Sequence, residues 1–387
     1  MSNLPKGWEK VFLKEVVQDM HQGINTVTEN IEYYDNGIDI LQAKHITSGY
    51  IDLSDPKKVS IEDYNKYKAK YQPQINHILL TNIGTIGKVL IVEENIDFLI
   101  AWNIFLIKSN QLKINPHFLF YVLKKYDIDK FYDKFLTGNA TKFINKKFMG
   151  DIEIPLPPLE EQKKIADILS TVDKKIAFVE ENINATEELK KGLMQKLLTE
   201  GIGHTEFKDS ELGRIPESWE VDTFNNLSIE IIDGDRGINY PKQNEFSDTG
   251  YCLFLSAKNV TKRGFEFIEK QFITEDKDSL LRKGKLQKKD IVLTTRGTVG
   301  NIAYFNDLIS FENMRINSGM VLLRSSKLNT DYLYKVMNSY IIQNHISNVA
   351  FGSAQPQLTV KEIKTFKIPV PPLEEQKQIA EILSTVD

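Results

Sequence analysis

Cysteine occurs once in 387 residues, at Cys252, which excludes a disulfide framework and any cysteine-rich zinc site. The six histidines (His21, His45, His77, His117, His204 and His345) are scattered, with no HxxxH or HxH spacing that would ligate a metal. No apolar run reaches membrane-spanning length and no basic-then-apolar leader opens the chain, so no membrane contact and a cytoplasmic location are expected. Arginine is missing from the first half: all seven (Arg214, Arg236, Arg263, Arg282, Arg296, Arg315 and Arg324) come later. Strong charge of either sign is also missing, since the net charge is −4. That value does not advertise a nucleic-acid binder. The small acidic excess falls on residues 156–205 and 368–387, while the stretches between them are balanced and locally basic. With 41% hydrophobic and 26% charged residues, the composition is that of a soluble globular protein of two-domain length.

What is present is a duplication. The segment IPLPPLEEQKKIADILSTVD begins at Ile154, and IPVPPLEEQKQIAEILSTVD begins at Ile368, 214 residues later. The two differ at three of twenty positions, Leu156/Val370, Lys164/Gln378 and Asp167/Glu381. Weaker echoes keep the same order and nearly the same offset. NPHFLFYVL at Asn115 faces NTDYLYKVM at Asn329, LQAKHI faces LSAKNV, ILLTNIGTIGKV faces IVLTTRGTVGNI, and Trp8 faces Trp219. One unit has been copied in tandem. The two bodies have diverged while the segment ending each copy has not, so that segment serves a common role and the bodies serve different ones.

Pro157–Pro158 and Pro371–Pro372 favour an extended entry followed by a helix start. Apolar residues then recur at Ile165, Leu169, Val172, Ile176, Val179 and Ile183, in steps of four and three that describe a heptad seam. Gly201 and Gly203 mark a stop, giving a helix of about 40 residues and ~60 Å. Its expected partner is the second copy, through Ile379, Leu383 and Val386. The bodies read as mixed α and β, with β-rich runs such as HILLTN and DIVLTT punctuated by GTIG and GTVG turns. Those turns are either phosphate cradles or plain tight turns. The expected architecture is α+β: similar mixed domains at 1–155 and 205–368, a long spacer helix at 156–204, and a shortened second helix at 369–387. The two helices would pair antiparallel about a pseudo-twofold axis.

Two copies of P-x-P-P-L-E-E-Q-x-x-I-A closing divergent bodies resemble the specificity subunit of a type I restriction–modification enzyme, over essentially the whole chain. The GSAQP stretch at Gly352 and ELGRIPESWEV at the start of the second body belong to the same resemblance. It implies that each body is a target recognition domain for one half of a bipartite site in double-stranded DNA. It implies too that the helices dock two methyltransferase subunits and that restriction–translocation subunits complete the assembly. Catalysis would lie elsewhere, with S-adenosylmethionine in the methyltransferase partner and no cofactor on this chain. The residues agree: there is no N-P-P-[FY] motif, no F-x-G-x-G loop and no Walker A. An autonomous DNA-modifying enzyme and a coiled-coil scaffold without DNA are the competing readings.

Bases are read in the major groove by Arg at guanine and by Asn or Gln at adenine. Candidate contacts are therefore Lys44, Asn82, Thr85 and Lys88 in the first body, matched to Lys258, Arg296, Thr298 and Asn301 in the second. Arg236 and Lys242 add to the second body, and Asn139 and Thr141 match Ser353 and Gln355 in the G-x-A loops. A first body without arginine leads to a half-site leaning toward A·T pairs. The second helix ends at Asp387, the counterpart of Asp173, so the distal seam of the first is expected to need another cover: a methyltransferase subunit, a second copy of the chain, or a further C-terminal piece.

Overall fold

The computed structural model describes residues 4–135, 143–350 and 356–386, and it falls into two compact units, 1–180 and 181–387. In each, a central strand carries an unbroken apolar run, so both of its faces must be covered. Ile78–Thr81 is such a strand. Ile78 and Leu80 face a core with Phe105, Ile107, Phe118 and Leu119, while Leu79 faces a second core with Leu41, Phe98, Ile100 and Leu106. The alternation is the period of two expected of a strand. Its antiparallel sheet runs Val17–Gln22, Ile104–Ser109, Ile78–Thr81, Val89–Ile91. Helix Pro116–Ile128 covers one face. The other carries a three-stranded sheet of Lys57–Val59, Ile38–Leu41 and Phe98–Ile100, the last two parallel.

The second unit repeats this order. Its four-stranded sheet runs Glu230–Asp233, Met320–Arg324, Ile291–Thr294, Ile302–Tyr304, and its three-stranded sheet Phe272–Ile273, Cys252–Leu255, Met314–Ile316. Ile291 and Leu293 face the helix Thr330–Met337, and Val292 faces Leu253, Leu255 and Met314.

Each body is closed by pairing an early strand with its last, which in the second body follows a hairpin of Phe207–Ser210 and Gly213–Pro216. Glu9–Phe12 lies antiparallel to Glu153–Leu156 with Glu9 opposite Leu156, and Glu220–Thr223 to Lys367–Val370 with Glu220 opposite Val370. Two prolines follow and the repeated helix begins. A repeated glutamine takes part in its attachment to the body in both copies. Gln162, fully buried, accepts the Asn115 amide at 2.8 Å and donates to the Pro157 carbonyl at 2.7 Å and the Lys113 carbonyl at 3.2 Å. Gln376 does the same with Asn329 at 2.9 Å and Pro371 at 2.8 Å. Asn115 and Asn329 are N-caps of the covering helices, their side chains accepting from Phe118 and Tyr332. A cap residue's own amide is commonly taken by a Glu or Gln three residues on. Those positions hold Phe118 and Tyr332, so the repeated glutamine supplies the acceptor from another helix.

The long helix spans Leu159–Thr199, 41 residues, and gives way to Gly201 and Gly203, both in the left-handed region at φ 67° and 72°. Its first turns sit on the first body through Ile165 and Ala166, and its last turns on the second through Leu197 and Leu198. Between them the seam is bare, from Leu169 (38% exposed) through Val172 and Ile176 to Val179 and Ile183 (both 52%). The short helix Leu373–Ser384 departs from expectation. Ile379 and Leu383, assigned to a helix–helix seam, are buried in a core that holds Tyr332, Leu333 and Val336 of their own body together with Leu197 and Leu198 from the last turns of the long helix. Val386 lies two residues past the helix end. Apolar spacing reveals that a helix face is covered, and in this copy the core that covers it is built from the adjacent body and the last turns of the long helix.

Glu375 adds a second anchor in the second unit. It accepts from Trp219 Nε1 at 2.9 Å and from the Ile202 amide at 3.0 Å, and His204 Nε2 lies 2.7 Å away. Removing this acceptor leaves a buried indole N–H and an amide unpaired, so Glu375→Ala should lower the melting temperature of the second unit by roughly 5–10 °C. A thermal melt with a shift under about 2 °C would show that the carboxylate is dispensable.

Candidate nucleic-acid interface

At one end of each sheet pair, four connections emerge together. In the second body the chain leaves Asp233, Leu255, Thr294 and Ile316 at this end, carrying Arg236, Lys258, Arg296–Thr298 and Asn317–Gly319. They are tied to one another. The amides of Thr295 and Arg296 both donate to the Gly319 carbonyl, at 2.8 and 3.2 Å, and Arg236 Nη2 donates to the Ser318 carbonyl at 3.2 Å. Gly234 allows this closeness, because a Cβ there would stand 2.1 Å from the Asn317 carbonyl oxygen. Asp235 organises the cationic side. Buried, it accepts from the amides of Gly237 (2.7 Å) and Arg282 (2.8 Å), and the Gly237 amide above all holds its carboxyl below the usual carboxylate value. The guanidinium of Arg282 stays largely exposed, and that of Arg296 has no hydrogen-bond or ion-pair partner among the described residues. Arg282 and Arg296 are thus presented to solvent from a braced set of loops, and Arg236 stands half-exposed beside them with Nη2 also 3.4 Å from the Asp233 carboxylate; guanidinium groups so placed suit phosphates and guanine edges.

The first body has the same frame with other side chains. The Asn82 amide donates to the Asn103 carbonyl at 3.2 Å, Gln22 Nε2 to the Trp102 carbonyl at 3.1 Å, and Gly23 abuts Ile100 and Ala101 as Gly234 abuts Asn317. Three of the residues expected to read bases are structural instead. Asn82 is fully buried, its carbonyl accepting the Ile144 amide, so its counterpart is the buried Thr295, whose carbonyl accepts from Leu358. Aligning it with Arg296 was a slip of one residue, which exchanges the two faces of a strand. Lys88 pairs with Asp127 at 2.7 Å, and Asn301 donates to the Val260 carbonyl at 2.9 Å. Lys44 and Lys258 are exposed at matched positions but held by Asp55 (2.6 Å) and Glu269 (2.7 Å), and Lys44 lowers the Asp55 carboxyl. Thr85 and Thr298 stand exposed at the tips of the Gly turns, and Lys242 is exposed beyond Arg236. Asn139, Thr141, Ser353 and Gln355 lie outside the described residues. Asp235 and Arg282 were missed. The compact GDRG turn was the one available signal, and Arg282 joins it from 47 residues away.

Among the described residues no helix is long and apolar enough to cross a membrane. Residues 5–188 and 217–387 match the type I restriction modification DNA specificity domain, once over each copy of the unit. Two Methanocaldococcus jannaschii proteins are similar to this chain. The specificity subunit assigned to the MjaX type I restriction enzyme is 32% identical, covering 100% of this chain and 88% of that one. The MjaVIII specificity subunit is 33% identical over 78% of this chain and 74% of its own length. In fold, the chain resembles the crystal structure of a type I restriction–modification S subunit from M. genitalium. The TM-score is 0.63 at 17% identity, over 100% of this chain and 91% of that one. Both the duplicated joint and the paired loop ends accord with that match, and this chain belongs to the type I restriction–modification DNA specificity family.

Proposed function

We propose that this chain is the non-catalytic DNA-reading subunit of a type I assembly in the cytoplasm, each body contacting one half of a bipartite site. The observation that carries the reading is the contrast between the two loop ends. One frame is built twice on the same glutamine joint, yet it presents Arg236, Arg282 and Arg296 in one copy and no arginine in the other. The bare seam from Leu169 to Ile183 is the docking surface for two methyltransferase subunits, which bring S-adenosylmethionine, and restriction–translocation subunits join through them. A second copy of the chain is the alternative cover for that seam.

The test is the methylome of cells expressing the chain with its cognate methyltransferase. A bipartite motif with two unlike halves is expected. A palindromic motif would mean that two chains pair and one body reads both halves, and absence of any motif would remove the DNA-reading role. Binding should also weaken with salt. Contacts to on the order of six phosphates give a slope near −5 in a plot of log K against log salt. A flat plot from filter-binding titrations would exclude a phosphate-tracking interface.

A further inference from the structure

The loop end of the first body holds an open pocket of ≈ 580 Å³ whose lining includes Val27, Glu32, Tyr33, Gln42, Lys57 and Trp102. Large apolar side chains are exposed around it, Trp102 at 47% and Val27 at 83%. The walls are pinned. Asn25 Oδ1 accepts the Val27 and Thr28 amides, both at 3.2 Å, the Tyr33 hydroxyl donates to Thr26 Oγ1 at 2.9 Å, and the Trp102 amide donates to the Ile24 carbonyl at 2.9 Å. Lys57 lies 4.1 Å over the Tyr33 ring and makes no ion pair among the described residues.

The register between the copies locates this pocket. Leu41 pairs with Ile100 as Leu255 pairs with Ile316, so two residues on, Trp102 stands where Ser318 stands. In the second body the Ser318 carbonyl receives the Arg236 guanidinium; in the first, the matched Trp102 carbonyl receives the Gln22 side-chain amide, and an exposed indole stands where the second body has only the side chain of a serine. An exposed, pre-ordered indole beside an isopropyl group cannot read guanine as arginine does. It matches the one apolar feature of the major groove, the C5-methyl of thymine.

We propose that Trp102 is a specificity-determining residue of the first body, contacting the methyl edge of a thymine in an A·T pair while Lys57 meets a flanking phosphate. The proposal rests on the DNA-reading function. Its test uses the full chain, wild type and variant, selecting from duplexes randomised in both half-sites, followed by uracil substitution at each selected thymine. Trp102→Ala should lose roughly tenfold discrimination at one A·T position of one half-site and leave the other half-site intact. Uracil there should cost the wild type the same factor and the variant nothing. Trp102→Phe, with an unchanged melting temperature, should keep most of the preference. Unaltered discrimination in Trp102→Ala, a uniform loss across all sequences, or a G·C pair at the affected position overturns the proposal while the DNA-reading function stands. A wild-type chain that selects no sequence overturns both.

Discussion

Gln376→Leu is expected to cost the second body about 2–5 kcal/mol, more than any surface change in the same helix. Leucine fits the space but pairs with nothing. The Asn329 amide and the Pro371 carbonyl, now held at 2.9 and 2.8 Å, would be left in the core with no partner and no water. Gln162→Leu should act alike on the first body, where a third partner, the Lys113 carbonyl, is also lost. Glu at either position separates the two halves of the interaction, because a carboxylate accepts from the asparagine amide but cannot donate to the proline carbonyl. Urea titration of each variant reads the effect. A loss under about 1 kcal/mol in both leucine variants would mean that strand closure alone attaches the helices.

Arg236→Ala and Arg296→Ala should each weaken binding of the cognate duplex by roughly 10- to 100-fold, the range of one lost bidentate contact to guanine. The loss should fall on one half of the site only. Asp235→Asn is the informative companion. It touches no DNA in this reading, but the carboxylate holds the amides of Gly237 and Arg282 together, and an amide side chain supplies one acceptor oxygen where two are used. About a tenfold loss in the same half-site is expected, with the other half unchanged. Lys258→Ala is the control, since Glu269 already engages that lysine. Equal losses for all four variants in a competition assay would indicate a diffuse electrostatic surface rather than a built reading edge.

The frame was legible in the sequence because it depends on short-range patterns. The tandem copy, the strands around ILLT and IVLT, the proline entry to the helix and the glycine stop at Gly201 all follow from spacing and local preference. Among the candidate contacts, exposure was legible where a residue sits at a turn tip, as Thr85, Arg296 and Thr298 do. Asn82 and Lys88 looked equally available, but their partners, Ile144 and Asp127, arrive from 62 and 39 residues away. The repeated glutamine was visible as part of a signature, yet its role was not, because Asn115 and Asn329 meet it only after the body has folded. The seam divided for the same reason. A heptad pattern does not distinguish a helix facing a partner, as Val172 to Ile183 are free to do, from one pressed on its own domain, as Ile379 and Leu383 are.

Pairing an early strand of each body with its last has an architectural outcome of its own. With Glu220 opposite Val370, a body enters and leaves through one doorway, beside the glutamine that fastens the helix. The loops between those strands hang from a frame whose entrance and exit are fixed together, with Asn115 and Asn329 as the points inside each body that the glutamine holds. The chain is therefore organised like a socketed tool: the handle and its catch are standardised in Ile154–Asp173 and its twin, and the working bit differs from copy to copy.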